Sequence, residues 1–308
     1  MEYETAGDPM SDSKWSRKTT EKISKLLVAS GLKISKNTVG RLLKQLGFSL
    51  RVNHKIVSTG TKCDRTARNE QFSIINQTRE AFVKRGDPVI SVDTKKKELI
   101  GNFKNAGSRW QQDVEPTNDH DFKKDAKGKA APYGIYDFIN NLGHVCVGQS
   151  YDTSEFAVDA ILQWWTSEGS RRYPDAKSIC ILADAGGSNG YRVRAWKYKL
   201  QYEFANRHNI AITVCHYPPG ASKWNPIEHR MFSQISKNWA AAPLRSYDTV
   251  LNYIRSTTTK QGLKITAQLN PKNYTKGMKI SDKEMNALNI TRNETLPNWS
   301  YTILPQKM

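Results

Sequence analysis

The chain predicts an α/β domain, a mixed sheet flanked by helices, preceded by a small all-α domain. Three observations lead there. From Val89 onward, segments of strand and helix period follow in the order strand, hairpin, helix, strand, helix, strand, helix. The run Ser178 to Ala183 is almost continuously apolar, as a central strand covered on both faces must be. Ahead of residue 63 the pattern is different: two short amphipathic helical segments separated by a glycine-containing turn.

Charge says which partners to expect. The 308 residues are 38% apolar and 25% charged, a globular composition, with a net charge of +18. Such a field attracts polyanions, of which nucleic acid is the commonest for a basic protein. The charge is concentrated. From Arg17 to Lys62 eleven Lys and Arg stand against a single acid, Glu21. The four cysteines, Cys63, Cys146, Cys180 and Cys215, form no C-x-x-C pair and lack zinc-like spacing with histidine. Three lie in apolar strand-like runs, which suits a reducing compartment. No apolar run approaches the ~18 residues needed to span a membrane, and the first residues lack a secretory apolar stretch. A cytoplasmic protein is expected.

Residues 1–16 are polar and aperiodic. Residues 17–62 form the predicted all-α domain with its basic linker. Thr20 is the expected cap of a helix carrying Ile23, Leu26 and Leu27, stopped by Gly31. Ser35 caps a second, with Val39, Leu42, Leu43 and Leu46 apolar and Gly47 as its stop. Two short helices of this kind in a basic setting have the form of a DNA-binding helix-turn-helix. The candidate DNA contacts are Arg17, Lys18, Lys36, Asn37, Arg41 and Lys44, with Arg51 and Lys55 in the linker. A connecting helix over 63–87 follows, broken by Gly86-Asp87-Pro88.

The α/β domain is expected over 88–260. Val89 to Thr94 is its first strand, and residues 95–130 an elaborated loop or hairpin. Tyr133–Ile139 and His144–Gln149 make a hairpin across Asn140-Asn141. Ser154 starts a helix, Ser178–Ala183 is the central strand, and a helix spans about Tyr191 to Asn206. The strand Ile212–Tyr217 must stop at Pro218-Pro219-Gly220. Asn225 then stands where a helix cap belongs, with Pro226 at the first helical position and Ile227, Met231 and Ile235 at helical spacing. A helix over Asp248–Thr258 completes the domain. Residues 261–308 read as a basic extension, with an edge strand within Leu296–Leu304.

Three acids stand where acids are costly unless used. Asp93 closes the first strand, Asp184 closes the central strand ahead of Gly186-Gly187, and Glu228 edges the apolar stripe of a helix. If the two strands are neighbours, both aspartates meet at one sheet edge, where open α/β proteins place their sites. Three hard oxygen ligands suit Mg²⁺ or Mn²⁺, and a pair of such ions ~3.5–4 Å apart suits in-line phosphoryl displacement. Each acid also has a structural reading: Asp93 as a turn former, and Glu228 as a partner of the helix dipole. Glu98, Asp137, Asp152 and Asp159 are rival carboxylates. His216 and His229 either orient a ligand or simply pack, and Trp224 either stacks on a base or anchors its loop.

The segments SVDTKKKELIGNFKN (91–105), LADAGGSNG (182–190) and PPGASKWNPIEHR (218–230) resemble DDE transposases of bacterial insertion sequences, the Rhodopirellula-type transposase family. The likeness extends from about Gly7 to the C-terminus. It implies an RNase H-like catalytic domain in which Asp93, Asp184 and Glu228 are the metal-binding catalytic triad. It also implies a Mg²⁺ cofactor replaceable by Mn²⁺, cleavage of element ends, strand transfer into target DNA, and at least a dimer on DNA. Family members have more chain ahead of the region matching Gly7, so a shortened N-terminus is expected. The alternatives are a regulator that binds ends without cutting, and an RNase H-like nuclease that hydrolyses without joining.

Overall fold

The computed structural model describes residues 6–7, 14–15, 18–50, 65–221 and 224–306. Three expected DNA contacts, Arg17, Arg51 and Lys55, lie outside these residues, as does Cys63. The chain divides into two compact units, Met1–Val57 and Ser58–Met308. Among the described residues, no helix is long and apolar enough to cross a membrane.

In the first unit β1 (Ala6–Gly7) pairs antiparallel with β2 (Lys14–Trp15), and α1 (Thr20–Ala29) packs against α2 (Lys36–Gln45). The cap of α1 is Thr19 rather than Thr20: its hydroxyl accepts from the Lys22 backbone N–H, because Thr20 is already helical. Ser35 caps α2 through the Thr38 N–H. Of the apolar positions on these helices only Ile23 and Val39 are buried, while Leu26, Leu42 and Leu46 are exposed. Two helices alone can bury only the residues at their crossing. Lys36, Asn37, Arg41 and Lys44 are all exposed on α2.

The second unit opens with α3 (Arg65–Arg85). Its strands are β3 (Val89–Thr94), β4 (Glu98–Ile100), β5 (Gly128–Asp137), β6 (Leu142–Gly148), β7 (Ser178–Ala183), β8 (Ala211–His216), β9 (Lys264–Asn270), β10 (Ile290–Arg292) and β11 (Ser300–Ile303). They form a nine-stranded mixed sheet in the order β10-β11-β8-β7-β3-β5-β6-β9, with β4 also pairing β5. β3, β7 and β8 run parallel, whereas β5 is antiparallel to β3 and to β6. The central five strands, β6-β5-β3-β7-β8, have the order of an RNase H-like fold. Each parallel step needs a crossover, and helices supply it. α4 (Ser154–Trp164) passes through a π turn (Trp165–Gly169) into α5 (Ser170–Arg172) and leads to β7. α6 (Arg194–Lys199), a second π turn (Leu200–Ala205) and α7 (Asn206–His208) lead to β8.

Residues 261–308 differ from the expected extension. They supply β9 at one edge of the sheet, and β10 and β11 at the other, around α10 (Asp282–Asn286). Along β9, Ile265 and Ala267 are buried between exposed Lys264, Thr266 and Gln268. An edge strand wet on one side alternates in this way, and its polar half resembles a tail.

Strand alternation sends successive side chains to opposite faces. Ile90 and Val92 pack with Phe156, Ile161, Trp164 and Trp196 beneath α4 and α6. Val89 packs on the other face with Ile75 and Phe82 of α3. α8 (Ser233–Asn238) and α9 (Tyr247–Arg255) pack there too, their Ile235, Val250 and Ile254 meeting Tyr136, Val145 and Val147. Ser91 and Asp93 share the parity of Val89, so they belong to the face that the helix bearing Glu228 covers.

Candidate active site

The register of the central strands decides where the acids emerge. β3 and β7 are parallel neighbours with Val92 opposite Ala183, so Asp93 and Asp184, one residue further on each strand, leave the sheet at the same end. The third acid arrives from above. A helix starting at Pro226 seats buried Ile227, Met231 and Phe232 on the sheet, and Glu228 begins its π turn, Glu228–Phe232. Glycines make that seat: a Cβ on Gly134 would lie 2.6 Å from both Met231 Cε and Phe232 Cε1, and one on Gly143 would strike Met231 Sδ.

The acids also act on one another electrostatically. The Asp93 carboxyl is pushed from 3.8 up to about 8, first by burial and then by the charges of Asp184 and Glu228. The Thr94 backbone N–H, 2.7 Å from Asp93 Oδ1, opposes that rise. Asp184 is raised as well, by burial and by Glu228, with a hydrogen bond from Asn225 working against it. Its Oδ1 accepts from Asn225 Nδ2 at 3.1 Å.

Asp93, Thr94, Asp152, Asp184, Gly186 and Asn189 border a cleft of about 370 Å³. A larger one, about 1000 Å³, lies on the Glu228 side. Lys95, Lys96 and Lys97 border both. Lys96 and Lys97 are exposed, whereas Lys95 is buried, with Nζ 3.4 Å from Glu98 Oε1 and 4.5 Å from the Trp239 ring centroid. Burial lowers the Lys95 pKa, and Glu98 and Glu228 counteract it.

Sequence reasoning missed part of this site. Asn225 is fully buried, and its side chain does not cap the helix. Its Oδ1 accepts from Ser91 Oγ while its Nδ2 reaches Asp184, and only its backbone carbonyl receives the Glu228 N–H. Ser91 and Asp184 hold the amide inward, and the cap position alone did not reveal that. Asp152, a rival at the sequence level, joins the cleft, accepting from Thr94 Oγ1 at 3.2 Å. Other rivals are committed elsewhere. Glu98 holds Lys95, Asp137 takes hydrogen bonds from Asn140 and Tyr173, and Asp159 takes them from Lys272 and Tyr274.

His216 packs. It is fully buried, with Nδ1 donating to the Asp184 carbonyl at 3.1 Å, so Nε2 is left to accept from the Tyr301 hydroxyl at 3.3 Å. Burial brings its pKa down to about 4, which keeps the imidazole neutral above that pH. Trp224 meets Phe72 of α3 edge-on at 6.1 Å, and His229 is exposed.

The donor set fits a hard divalent ion. It offers carboxylates without thiolate, and two of those carboxylates bear a repulsion that a cation would relieve. Among the described residues no three His, Cys, Asp or Glu groups are gathered into a finished metal cage. The fit therefore rests on the chemistry and proximity of the donors.

Comparison with known proteins agrees with the sequence resemblance. Residues 1–305 match the family described as Rhodopirellula transposase DDE domain. No curated protein sequence matches. Among solved structures, the chain is similar to the Mos1 transposase paired-end complex with left transposon end, at 14% identity and a TM-score of 0.44, over 75% of this chain and 65% of that one. It is also similar to the Mos1 mariner paired end complex with Mn, at 14% identity and a TM-score of 0.44, covering 80% and 73%. With the Mg form the identity is 13% and the TM-score 0.46, covering 80% and 74%. The chain thus spans less than two thirds of the first of these structures.

Proposed function

The chain belongs to the Rhodopirellula transposase DDE domain family, and from that premise we propose that it is a divalent-metal-dependent DNA transposase. What supports this reading is that Asp93 and Asp184 leave the sheet at one end, with Asp93 pushed up to about 8 by burial and by the charges of Asp184 and Glu228. Half-buried acids that repel one another are costly in a purely structural role and suited to a cation.

Asp93, Asp184 and Glu228 would hold two Mg²⁺ ions, with Mn²⁺ able to substitute. When bound, these ions lower the pKa of an attacking hydroxyl and stabilise the leaving oxygen. The chain's own residues do the rest. Exposed Lys96 and Lys97, on the rim of both clefts, meet backbone phosphates. Water attacks a phosphodiester at the element's end, breaking the P–O3′ bond and leaving a 3′ hydroxyl and a 5′ phosphate. That hydroxyl then attacks a target phosphodiester, forming one P–O bond as another breaks, with no covalent enzyme intermediate. Lys18, Lys36, Asn37, Arg41 and Lys44, with Arg17, Arg51 and Lys55, would bind the terminal repeats. Holding two ends together calls for at least a dimer.

The test is nicking and end joining on supercoiled plasmid bearing the element's ends, in Mn²⁺ and in EDTA, with wild type and Asp184→Asn. Metal-dependent nicking that Asp184→Asn abolishes, with DNA binding intact, supports the reading. Nicking retained by Asp184→Asn would remove Asp184 from the chemistry. Folded, DNA-binding protein that never nicks would favour a regulator, and nicking without joining a nuclease.

A further inference from the structure

A directional hydrogen-bond chain runs through the floor of the acid site. The Ile227 backbone N–H donates to Ser91 Oγ at 3.3 Å. The Ser91 hydroxyl, its oxygen so engaged, donates onward to Asn225 Oδ1. That contact decides which way the amide faces: with Oδ1 held by Ser91, Nδ2 must point the other way, where it donates to Asp184 Oδ1 at 3.1 Å. Ser91, Asn225 and Ile227 are all fully buried, so water cannot substitute for the links among them. Ser91 stands two positions before Asp93 on β3, Asn225 three before Glu228, and Asp184 directly after β7. One chain of bonds therefore joins the three elements that bring the acids.

We infer that Ser91 and Asn225 are positioning residues, which together fix the Asp184 carboxylate and the Glu228 turn at the separation a divalent cation requires. The inference rests on the metal-dependent reading above and adds to it two residues that touch neither cation nor DNA. Asn225 occupies one Asp184 oxygen and, among the described residues, leaves the other to the cleft. An asparagine suits this place better than an aspartate: its amide presents an acceptor to Ser91 and a donor to Asp184, whereas a carboxylate would add a further negative charge among the acids. Ser91 suits it better than alanine or valine, because only a hydroxyl can accept from Ile227 and orient the amide at once.

Partners of this kind typically alter metal affinity roughly 10–100-fold when removed. The experiment is calorimetric titration of the full-length chain with Mn²⁺ alone, for wild type, Ser91→Ala, Asn225→Ala, the double variant, Ser91→Thr and Asp184→Asn. Melting temperatures are taken on the same samples. The expected result is a loss of Mn²⁺ affinity of about 10-fold in each single alanine variant. The double variant should lose little more, because the two residues act as one unit. Ser91→Thr keeps the hydroxyl and should restore most of the affinity. If Asn225→Ala fails to fold, the contrast between Ser91→Ala and Ser91→Thr still decides. Lowered melting temperatures with Mn²⁺ affinity unchanged within about twofold would overturn the inference and leave the pair merely structural. Wild type that binds no Mn²⁺, or Asp184→Asn that binds it as well as wild type does, would overturn the metal reading and this inference with it.

Discussion

Asp93 and Asp184 leave parallel neighbouring strands at the same end of the central sheet, each one residue past the Val92–Ala183 pair. Burial, then the charges of Asp184 and Glu228, favour the protonated form of Asp93 and hold its pKa up at about 8.

This gives a signed pH dependence. Asp93 titrates at about 8 when folded and near 3.8 when free, so between those values the folded state holds more protons than the unfolded one. Without metal, stability should be greatest at the acid end, fall as pH rises through this window, and level off above about 8. The raised Asp184 works in the same direction. Thermal melts in EDTA from about pH 5 to about pH 8 check it, and Asp93→Asn should flatten the slope. Added Mn²⁺ should stabilise more at the alkaline end, where it no longer competes with the proton. A wild-type melting temperature that rises with pH in EDTA would contradict the assignment.

Glycines beneath Glu228 give a second prediction. Gly134 lies opposite Asp93 in the ladder, and an added methyl would press into Met231 and Phe232. Gly134→Ala and Gly143→Ala should each destabilise by about 1–3 kcal/mol through overpacking, and should also lower nicking by displacing the turn that bears Glu228. Gly148→Ala is the control. Its methyl would meet Phe156 at 2.8 Å on the opposite face, so it should cost comparable stability while sparing nicking at a permissive temperature. Denaturant titration beside plasmid nicking separates the two effects.

The central strands were legible because burial on both faces leaves an unmistakable composition. Val89–Thr94 and Ser178–Ala183 have in the structure the ends that their apolar runs imply. The acids were legible for the same reason, since Asp93 and Asp184 interrupt those runs. Asn225 was not. A residue before Pro at a helix start reads as a cap, and only tertiary structure, by placing Ser91 and Asp184 beside it, turns its amide inward. Lys95 was hidden too, because three consecutive lysines read as a solvated run until the first is found against Trp239 and Glu98. At β9 the polar half of an edge strand obscured the buried half.

Lys95 supplies the third prediction. Its ammonium is buried beside the partly buried Glu98 carboxylate, and truncation would leave that carboxylate without its partner. Lys95→Met should keep the packing against Trp239 yet destabilise by about 1–3 kcal/mol. Adding Glu98→Gln to Lys95→Met should recover most of that loss, because the uncompensated charge disappears with it. Urea titrations of the two single variants and the double variant give the coupling directly, and additive losses would refute it.

The last prediction separates DNA binding from chemistry. Arg41 and Lys44 are exposed on α2, within a unit distinct from the one that holds the acids. If they meet phosphates, Arg41→Ala and Lys44→Ala should weaken binding to all sequences alike, each reducing the slope of log K against log salt by about 1. If α2 reads DNA as the second helix of helix-turn-helix proteins does, Asn37, near its start, reaches base edges. Asn37→Ala should therefore leave the salt slope intact and relax preference for the element's end by about 1–3 kcal/mol. Asp184→Asn should do the reverse of all three, abolishing nicking with affinity and slope unchanged. Salt-dependent binding to end and random duplexes, measured beside nicking at saturating DNA, resolves these outcomes. A loss of nicking at saturation in the α2 variants would mean that those residues act beyond binding.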